Sequence, residues 1–196
     1  MNKFFLIGTI GLASIAMADS SHFTGNFKGA YLGPALGLGR TRIGVNNERY
    51  RQTQFMIGGL AGYGWVFATD LYLGGEVGLF QDTFSMKKHS QRIENKGQLE
   101  GMVRFGQIIQ HNFLPYVALG AARSAYKMRS DTQNKDFHST DLISEVGVDA
   151  FVLPHLTIRS SLRYQTGLRT SGNSSIVNVQ KKPQSLFVKI GVSYIF

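Results

Sequence analysis

The sequence predicts an all-β protein, an eight-stranded antiparallel up-and-down transmembrane β-barrel. Eight segments alternate apolar residues with small or polar ones, as strands do when one face lies in lipid and the other lines an interior. Short turns alternate with longer polar connections between these segments, which is typical of bacterial barrels. Beyond the first residues, no apolar run is long enough for a membrane-spanning helix, so strands are the remaining means of crossing.

The first 18 residues predict a cleaved secretory signal peptide, which leaves a barrel domain over residues 19–196. Lys3 supplies the positive start, and an uncharged apolar run follows it. Ala16 and Ala18 form a small-x-small cleavage site before Asp19. The run is shorter than the roughly 20 residues that a membrane-spanning helix needs, which favours a signal peptide over an anchor.

The boundaries of the predicted strands follow from the alternation and from the turn residues between them. The strands span Phe27–Arg40, Gln54–Phe67, Leu71–Phe84, Gly97–Gln110, Leu114–Lys127, Asp141–Val152, His155–Leu168 and Gln184–Phe196. Connections after the second, fourth and sixth strands are tight. Those after the odd-numbered strands, such as Thr41–Thr53, are predicted as polar loops of roughly 12 to 15 residues that lie outside the cell.

Alternate residues of a strand face opposite sides of the sheet, and this rule assigns a set of charged residues to the interior. In the third predicted strand, for example, Leu73 and Val77 share the outward face, whereas Tyr72 and Glu76 face inward. The same rule predicts a lumen ion-pair network of four acids and four bases: Glu76, Glu100, Arg104, Glu145, Asp149, Arg159, Arg163 and Lys189. Because unpaired buried charges are costly, the matched set predicts a structural plug rather than an acid–base site or a wide pore.

The last strand ends on an aromatic residue, and its apolar residues share one face. They are Val188, Ile190, Val192, Tyr194 and Phe196. This ending resembles the C-terminal signature by which outer-membrane barrels are recognised for assembly. The resemblance implies that the barrel-assembly machinery is a partner of this strand.

Two further segments resemble the OmpA/OmpX-type family of eight-stranded outer-membrane barrels, which includes opacity-like surface antigens. Leu71–Gly78 is similar to the family's strand with a lumen glutamate, and Val146–Asp149 with Leu162–Gln165 is similar to its pairing of an acidic strand with a basic one. The resemblance covers essentially the whole mature chain. It implies a barrel in the cell outer membrane of a Gram-negative bacterium, reached after secretion to the periplasm.

The chain is basic, with 21 Lys and Arg against 12 Asp and Glu. Many of the basic residues fall in the predicted loops and the adjoining strand ends. Those that are candidates for binding an anionic ligand are Arg42, Arg49, Arg51, Lys87, Lys88, Arg92, Lys127, Arg129, Lys181 and Lys182. The simplest partners are the phosphates of lipopolysaccharide, and an anionic host surface ligand that would give an adhesion role is the sharper hypothesis. Nucleic acid is disfavoured, since no reading helix is present.

No catalytic residue, metal site or cofactor is predicted. The five His are scattered without ligand spacing, and the Gly-rich run Gly58–Gly64 lacks the Lys and Ser or Thr of a phosphate-binding loop. The sequence therefore predicts a non-enzymatic integral outer-membrane protein that presents basic extracellular loops. Two alternatives stay open: a lipid-modifying barrel enzyme and a small, low-conductance channel. Arg163–Leu168 lacks the His found in the lipid A deacylases at the comparable place.

Overall fold

The computed structural model describes residues 26–45, 48–67, 70–82, 85–88, 91–130, 134–171 and 181–196, and most of them lie in strands. The strands are β1 (Gly29–Val45), β2 (Glu48–Val66), β3 (Leu71–Asp82), β4 (Ser85–Lys88), β5 (Gln91–Gln107), β6 (Phe113–Ser130), β7 (Asn134–Leu153), β8 (Leu156–Ser171) and β9 (Lys181–Ile195). Within these ranges no helix has the length and apolar character needed to cross a membrane.

Every strand pairs antiparallel with its neighbour in the chain, apart from β3 and β4, which both pair with β5. β3 and β4 therefore occupy one position in the sheet, with β4 extending the line of β3. β1 also pairs with β9, and this pairing closes the sheet on itself. The result is a closed eight-stranded antiparallel barrel, which confirms the predicted fold class.

The two faces of the sheet have the opposite polarity from those of a soluble barrel. In β8, Arg159 and Arg163 are buried inside the barrel, whereas Ile158 and Leu162 are exposed on its outer wall. The other strands repeat this arrangement, so that a continuous band of exposed Leu, Val, Ile and aromatic side chains surrounds a polar interior. An apolar surface of this extent is unfavourable in water and is suited to lipid.

The barrel closes where β1 meets β9, and Gly33 makes this closure close-packed. A Cβ atom at Gly33 would lie 1.8 Å from the carbonyl oxygen of Val192, much closer than any real contact. The neighbouring Pro34 has no N–H group to donate to the ladder at this point. The absence of a side chain at Gly33 therefore lets the two strands approach each other.

The two ends of the barrel differ in their connections. At the turn end, short turns join β2 to β3, β5 to β6 and β7 to β8, and Phe196 lies there also. At the loop end, connections join β1 to β2, β4 to β5, β6 to β7 and β8 to β9. Asp70, Gln110 and His111 have φ values of 57°, 51° and 59°. This left-handed conformation, uncommon for residues other than glycine, reverses the chain at the turn end.

The predicted extent of the loops was wrong at three of the four loop-end connections. Most of the predicted loop Thr41–Thr53 is a paired hairpin, in which Val45 lies opposite Glu48. Likewise β5 already begins at Gln91 and β7 at Asn134. Beyond the apolar band both faces of a strand meet water, so the apolar alternation stops while the backbone ladder continues. In the fourth connection, residues 172–180 are outside the described part of the chain.

Candidate functional site

Four of the predicted lumen charges form one cluster across the barrel, and each guanidinium contacts both carboxylates. Arg159 donates from Nη1 to Glu76 Oε2 at 2.6 Å and from Nε to Asp149 Oδ1 at 2.9 Å. Arg104 donates from Nη2 to Asp149 Oδ2 at 2.7 Å, and its Nη1 lies 3.6 Å from Glu76 Oε2. All four residues are buried. This ring of charge-assisted hydrogen bonds links β3, β5, β7 and β8 through the barrel interior.

Three tyrosines surround this cluster. The Tyr31 hydroxyl donates to Glu76 Oε2 at 2.9 Å and accepts a hydrogen bond from Arg104 Nη1 at 3.3 Å. The guanidinium carbon of Arg104 lies 3.9 Å from the centre of the Tyr116 ring and 5.6 Å from that of Tyr72. These are cation–π distances. Sequence reasoning missed this role of the tyrosines, although their inward parity was a signal that could have revealed it.

A second cluster lies beside the first. Lys189 donates to Glu145 Oε2 at 3.1 Å and lies 3.8 Å from Glu100 Oε1. Arg163 Nη1 donates to the other oxygen of Glu100. The Tyr116 hydroxyl donates to Glu145 Oε1 at 2.8 Å, and its ring contacts Arg104 of the first cluster. The structure therefore brings all eight predicted lumen residues together in two adjoining clusters.

The expected balance of four acids against four bases is incomplete, because Asp141 is a fifth buried acid. Its carboxylate accepts hydrogen bonds from Ser139 Oγ and from Gln165 Nε2, both at 2.6 Å. Gln165 in turn accepts from Arg163 Nη2 at 3.2 Å, which connects Asp141 to the ion-pair network. Asp141 has the same parity along β7 as Glu145, and this parity is the signal by which it could have been found.

Apolar side chains fill the interior at the turn end. Phe27, Leu114 and Phe151 are all buried there, and the rings of Phe27 and Phe151 lie 4.5 Å apart between centroids. The interior therefore changes from apolar packing at the turn end to ion pairs further along the barrel. Within the described ranges, no group of three or more His, Cys, Asp or Glu side chains is placed to hold a metal ion.

The candidate ligand-binding residues lie around the loop end, where the structure places them in strands. The side chains of Arg42 and Arg51 are exposed, and the two residues lie directly opposite each other on β1 and β2. For the other candidates the structure describes the backbone alone. They are Arg49 on β2, Lys87 and Lys88 on β4, Arg92 on β5, Lys127 and Arg129 on β6, and Lys181 and Lys182 on β9.

The residues of the predicted assembly signal lie on the outer wall at the end of β9. Ile190, Val192, Tyr194 and Phe196 are exposed and Val188 is half-buried. The rings of Tyr194 and Phe196 lie 5.1 Å apart, and the Phe196 backbone N–H donates to the Ala30 carbonyl at 2.9 Å. Their recognition by assembly machinery stays a prediction. The predicted cleavage site at Ala16, Ala18 and Asp19 is outside the described residues.

Known structures share this architecture. Neisserial surface protein A gives a TM-score of 0.59 at 15% identity, over 86% of this chain and 98% of its own. Ail of Yersinia pestis, in complex with the heparin analogue sucrose octasulfate, gives 0.55 at 15% identity, over 86% of this chain and 99% of its own. OprG from Pseudomonas aeruginosa gives 0.52 at 17% identity, over 89% and 99%. At these identities the likeness shows the fold alone.

A comparison of the sequence with curated proteins gave no match. The model of the family described as outer membrane protein beta-barrel domain, however, matches residues 7–196, almost the entire chain. The closed eight-stranded barrel, its apolar outer wall and its polar interior are the features expected of such a protein. The chain therefore belongs to the outer membrane β-barrel family, and it is located in the cell outer membrane.

Proposed function

We propose that this protein is a non-enzymatic outer-membrane barrel that presents basic residues at its loop end, outside the cell, to phosphate and sulfate groups. Its partners would be the phosphates of lipopolysaccharide and sulfated polysaccharides of a host surface. The observation that carries this proposal is the register of the basic residues at the loop end. Adhesion would follow from the second kind of partner.

Basic residues lie directly opposite one another on neighbouring strands at two places. Arg42 of β1 pairs with Arg51 of β2. Lys87 of β4 pairs with Arg92 of β5, which pairs in turn with Arg129 of β6, so that three basic positions form one row. Like charges directly opposite each other are destabilising. The stability of the barrel therefore does not explain this arrangement. An anionic partner would explain it, because an anion bound between the basic residues would relieve their repulsion.

The exposed pair contrasts with the buried arginines. Among the described side chains, neither Arg42 nor Arg51 makes an ion pair, whereas Arg104, Arg159 and Arg163 each contact a carboxylate. The charge of the exposed pair is therefore available to a ligand. The structure of Ail with sucrose octasulfate, a protein of the same fold, supports a polysulfate as the probe to use.

The filled interior argues against the two alternative functions. The acids that would serve an acid–base reaction are held in ion pairs with buried arginines and a lysine, away from the surface. The same side chains occupy the path that an ion would take through the barrel. We therefore propose a structural role for the lumen and a binding role for the loop end.

The test is retention of the refolded, mature protein on immobilised heparin. Each basic residue near an anionic surface contributes about 1 kcal/mol to the free energy of binding. The double variant Arg42→Gln, Arg51→Gln should therefore bind heparin about thirty-fold more weakly. The triple variant Lys87→Gln, Arg92→Gln, Arg129→Gln should weaken binding further. Lys28→Gln is the matched control, because Lys28 is an exposed cation at the turn end. Unchanged retention of the loop-end variants, or an equal loss in the control, would overturn the proposal.

We also propose that the outward face of β9 serves assembly. Deletion of Phe196 removes an exposed aromatic side chain and one backbone hydrogen bond to Ala30. The yield of folded protein in the outer membrane should fall, while the purified variant refolds in detergent almost as well as the parent. A yield equal to that of the parent protein would refute this role.

A further inference from the structure

A groove of about 780 Å³ crosses the outer wall of the barrel from β1 to β7. Ligand sites commonly have volumes of about 300–1,000 Å³, so its size is adequate for part of a lipid. The character of the lining changes along its length. The apolar end is lined by Pro34, Ile57 and Leu79, and the cationic end by Lys96 and Arg123.

The groove rises from the middle of the apolar band toward the loop end. Pro34 lies five residues along β1 from Gly29, and Arg123 lies ten residues along β6 from Phe113. At about 3.3 Å per residue and a strand tilt of about 45°, these positions are about 12 Å and 23 Å above the turn end. Since the apolar band of such barrels is about 25 Å tall, the cationic end lies at the membrane interface.

A β-bulge exposes one of the two cations. The register between β5 and β6 shifts between Asn95 and Gly97, and Gly97 has a φ of +149°, a conformation that favours glycine. Bulges of this kind redirect a side chain. Lys96, within the bulge, is exposed and lines the groove. The local backbone thus adds a positive charge beside Arg123.

Arg123 stands on the outer wall directly opposite Leu99, a lipid-facing residue. Arginine on the lipid side of a barrel is unfavourable unless it lies near the interface or meets an anion. Among the described side chains, Arg123 makes no ion pair. Its position at the upper end of an apolar groove suits the junction between a lipid headgroup and its acyl chain.

We propose that the groove binds a phosphate-bearing membrane lipid, with an acyl chain against Pro34, Ile57 and Leu79 and the phosphate between Lys96 and Arg123. This site is on the wall, and it is separate from the polyanion-binding residues of the loop end. The proposal rests on the proposed function in one respect: the loop end lies outside the cell, so the cationic end of the groove lies at the outer leaflet. A soluble anion would contact only Lys96 and Arg123 and would leave the apolar half of the groove unoccupied.

Two glycines on the outer wall allow a matched pair of variants. Gly59 lies between Pro34 and Leu79 in the register, and a Cβ there meets a single atom, the Gly33 carbonyl oxygen at 3.7 Å. Since Pro34 and Leu79 both line the groove, Gly59→Leu should place a side chain between them without straining the barrel. Gly101 lies on the same wall, a Cβ there meets nothing within 4 Å, and its partners Val77 and Ala121 do not line the groove. Gly101→Leu is the control.

The experiment counts lipids retained by the refolded barrel in a neutral detergent, using native mass spectrometry. The probes are dilauroyl phosphatidic acid, dilauroylglycerol and inorganic phosphate. One phosphatidic acid should be retained by the parent and by Gly101→Leu. Its affinity should fall at least ten-fold in Gly59→Leu and in the double variant Lys96→Gln, Arg123→Gln. A mobility shift between unboiled and boiled samples on gels verifies that each variant is folded.

Equal retention of dilauroylglycerol would overturn the proposal, because the phosphate would then contribute nothing. Binding of inorganic phosphate as tight as that of the lipid would indicate a free-anion site and would also overturn it. Equal losses of affinity for phosphatidic acid in Gly59→Leu and Gly101→Leu would show that binding does not depend on the groove, and this result would also overturn the proposal. Since the variants of Arg42 and Arg51 affect heparin binding and leave the groove intact, failure of the loop-end function is distinguishable from failure of this site.

Discussion

Arginines occupy two opposite settings in this barrel. In the lumen, Arg104, Arg159 and Arg163 are almost fully buried, and carboxylates meet each guanidinium. At the loop end, Arg42 and Arg51 are exposed and lie opposite each other. The same side chain therefore stabilises the barrel at one place and introduces repulsion at the other. The difference shows that buried carboxylates neutralise the lumen arginines, whereas no described side chain neutralises Arg42 or Arg51.

The largest expected effect comes from removing a buried guanidinium. Arg159→Met leaves Glu76 and Asp149 buried with Arg104 as their remaining cation in the cluster. Breaking a buried ion pair from one side typically costs about 3–5 kcal/mol. The free energy of unfolding, measured by urea titration of the folded barrel in micelles, should fall by this amount. The control, Arg42→Met, should change it little, and equal effects would remove the distinction between the two settings.

Two aspartates of β7 test how far the lumen depends on ion pairs rather than on hydrogen bonds. Asp149 accepts from two guanidinium groups, whereas Asp141 accepts from the neutral donors Ser139 and Gln165. Because Asp149→Asn also breaks ion pairs with Arg104 and Arg159, it should cost about 3–5 kcal/mol, whereas Asp141→Asn only weakens hydrogen bonds and should cost about 1.5 kcal/mol. Both variants are compared by the same urea titration. A larger cost at Asp141 would show that ion pairing does not govern lumen stability.

The sequence predicted the faces of the barrel well, and with them the lumen. The alternation predicted that Glu76 and Arg159 face the interior, because a strand between lipid and a closed interior seldom places a charged residue on its lipid side. It could not predict which acid meets which base. Glu76 and Arg159 are 83 residues apart, and their contact depends on how far the strands are staggered around the barrel. That stagger follows from the register of all the strands together.

The sequence predicted the loop end less well. Val45 and Glu48 were assigned to a loop because their segment lacks apolar alternation, although backbone hydrogen bonds alone extend the hairpin. The groove on the outer wall was also missed. Its lining includes Lys96 of the β-bulge, and Gly59, which has no side chain, lies between the lining residues Pro34 and Leu79 in the register. Both features concern local backbone geometry, which alternation does not report.

Glycine substitutions compare the inner face of the barrel with its outer wall, and their expected effect on stability is intermediate in size. A Cβ at Gly33, on the inner face, would collide with the Val192 carbonyl, whereas one at Gly101, on the outer wall, meets nothing within 4 Å. Overpacking typically costs about 1–3 kcal/mol, so Gly33→Ala should lower stability by this amount and Gly101→Ala should not. The temperature at which the folded band disappears on gels measures both. Equal temperatures would mean that the closure between β1 and β9 tolerates a wider spacing.

The smallest effect is expected at the loop end, and it has the opposite sign. Arg42→Gln removes one member of a pair of like charges, and such cross-strand pairs are worth about 0.2–1 kcal/mol. The variant should therefore be slightly more stable than the parent at low salt. In 1 M salt the Debye length is about 3 Å, so the gain should vanish. Arg40→Gln is the control, because Arg40 is exposed on the same strand but lies opposite Thr53 and Leu186. A loss of stability in Arg42→Gln would show that this residue has a structural partner, and the contrast with the buried arginines would then fail.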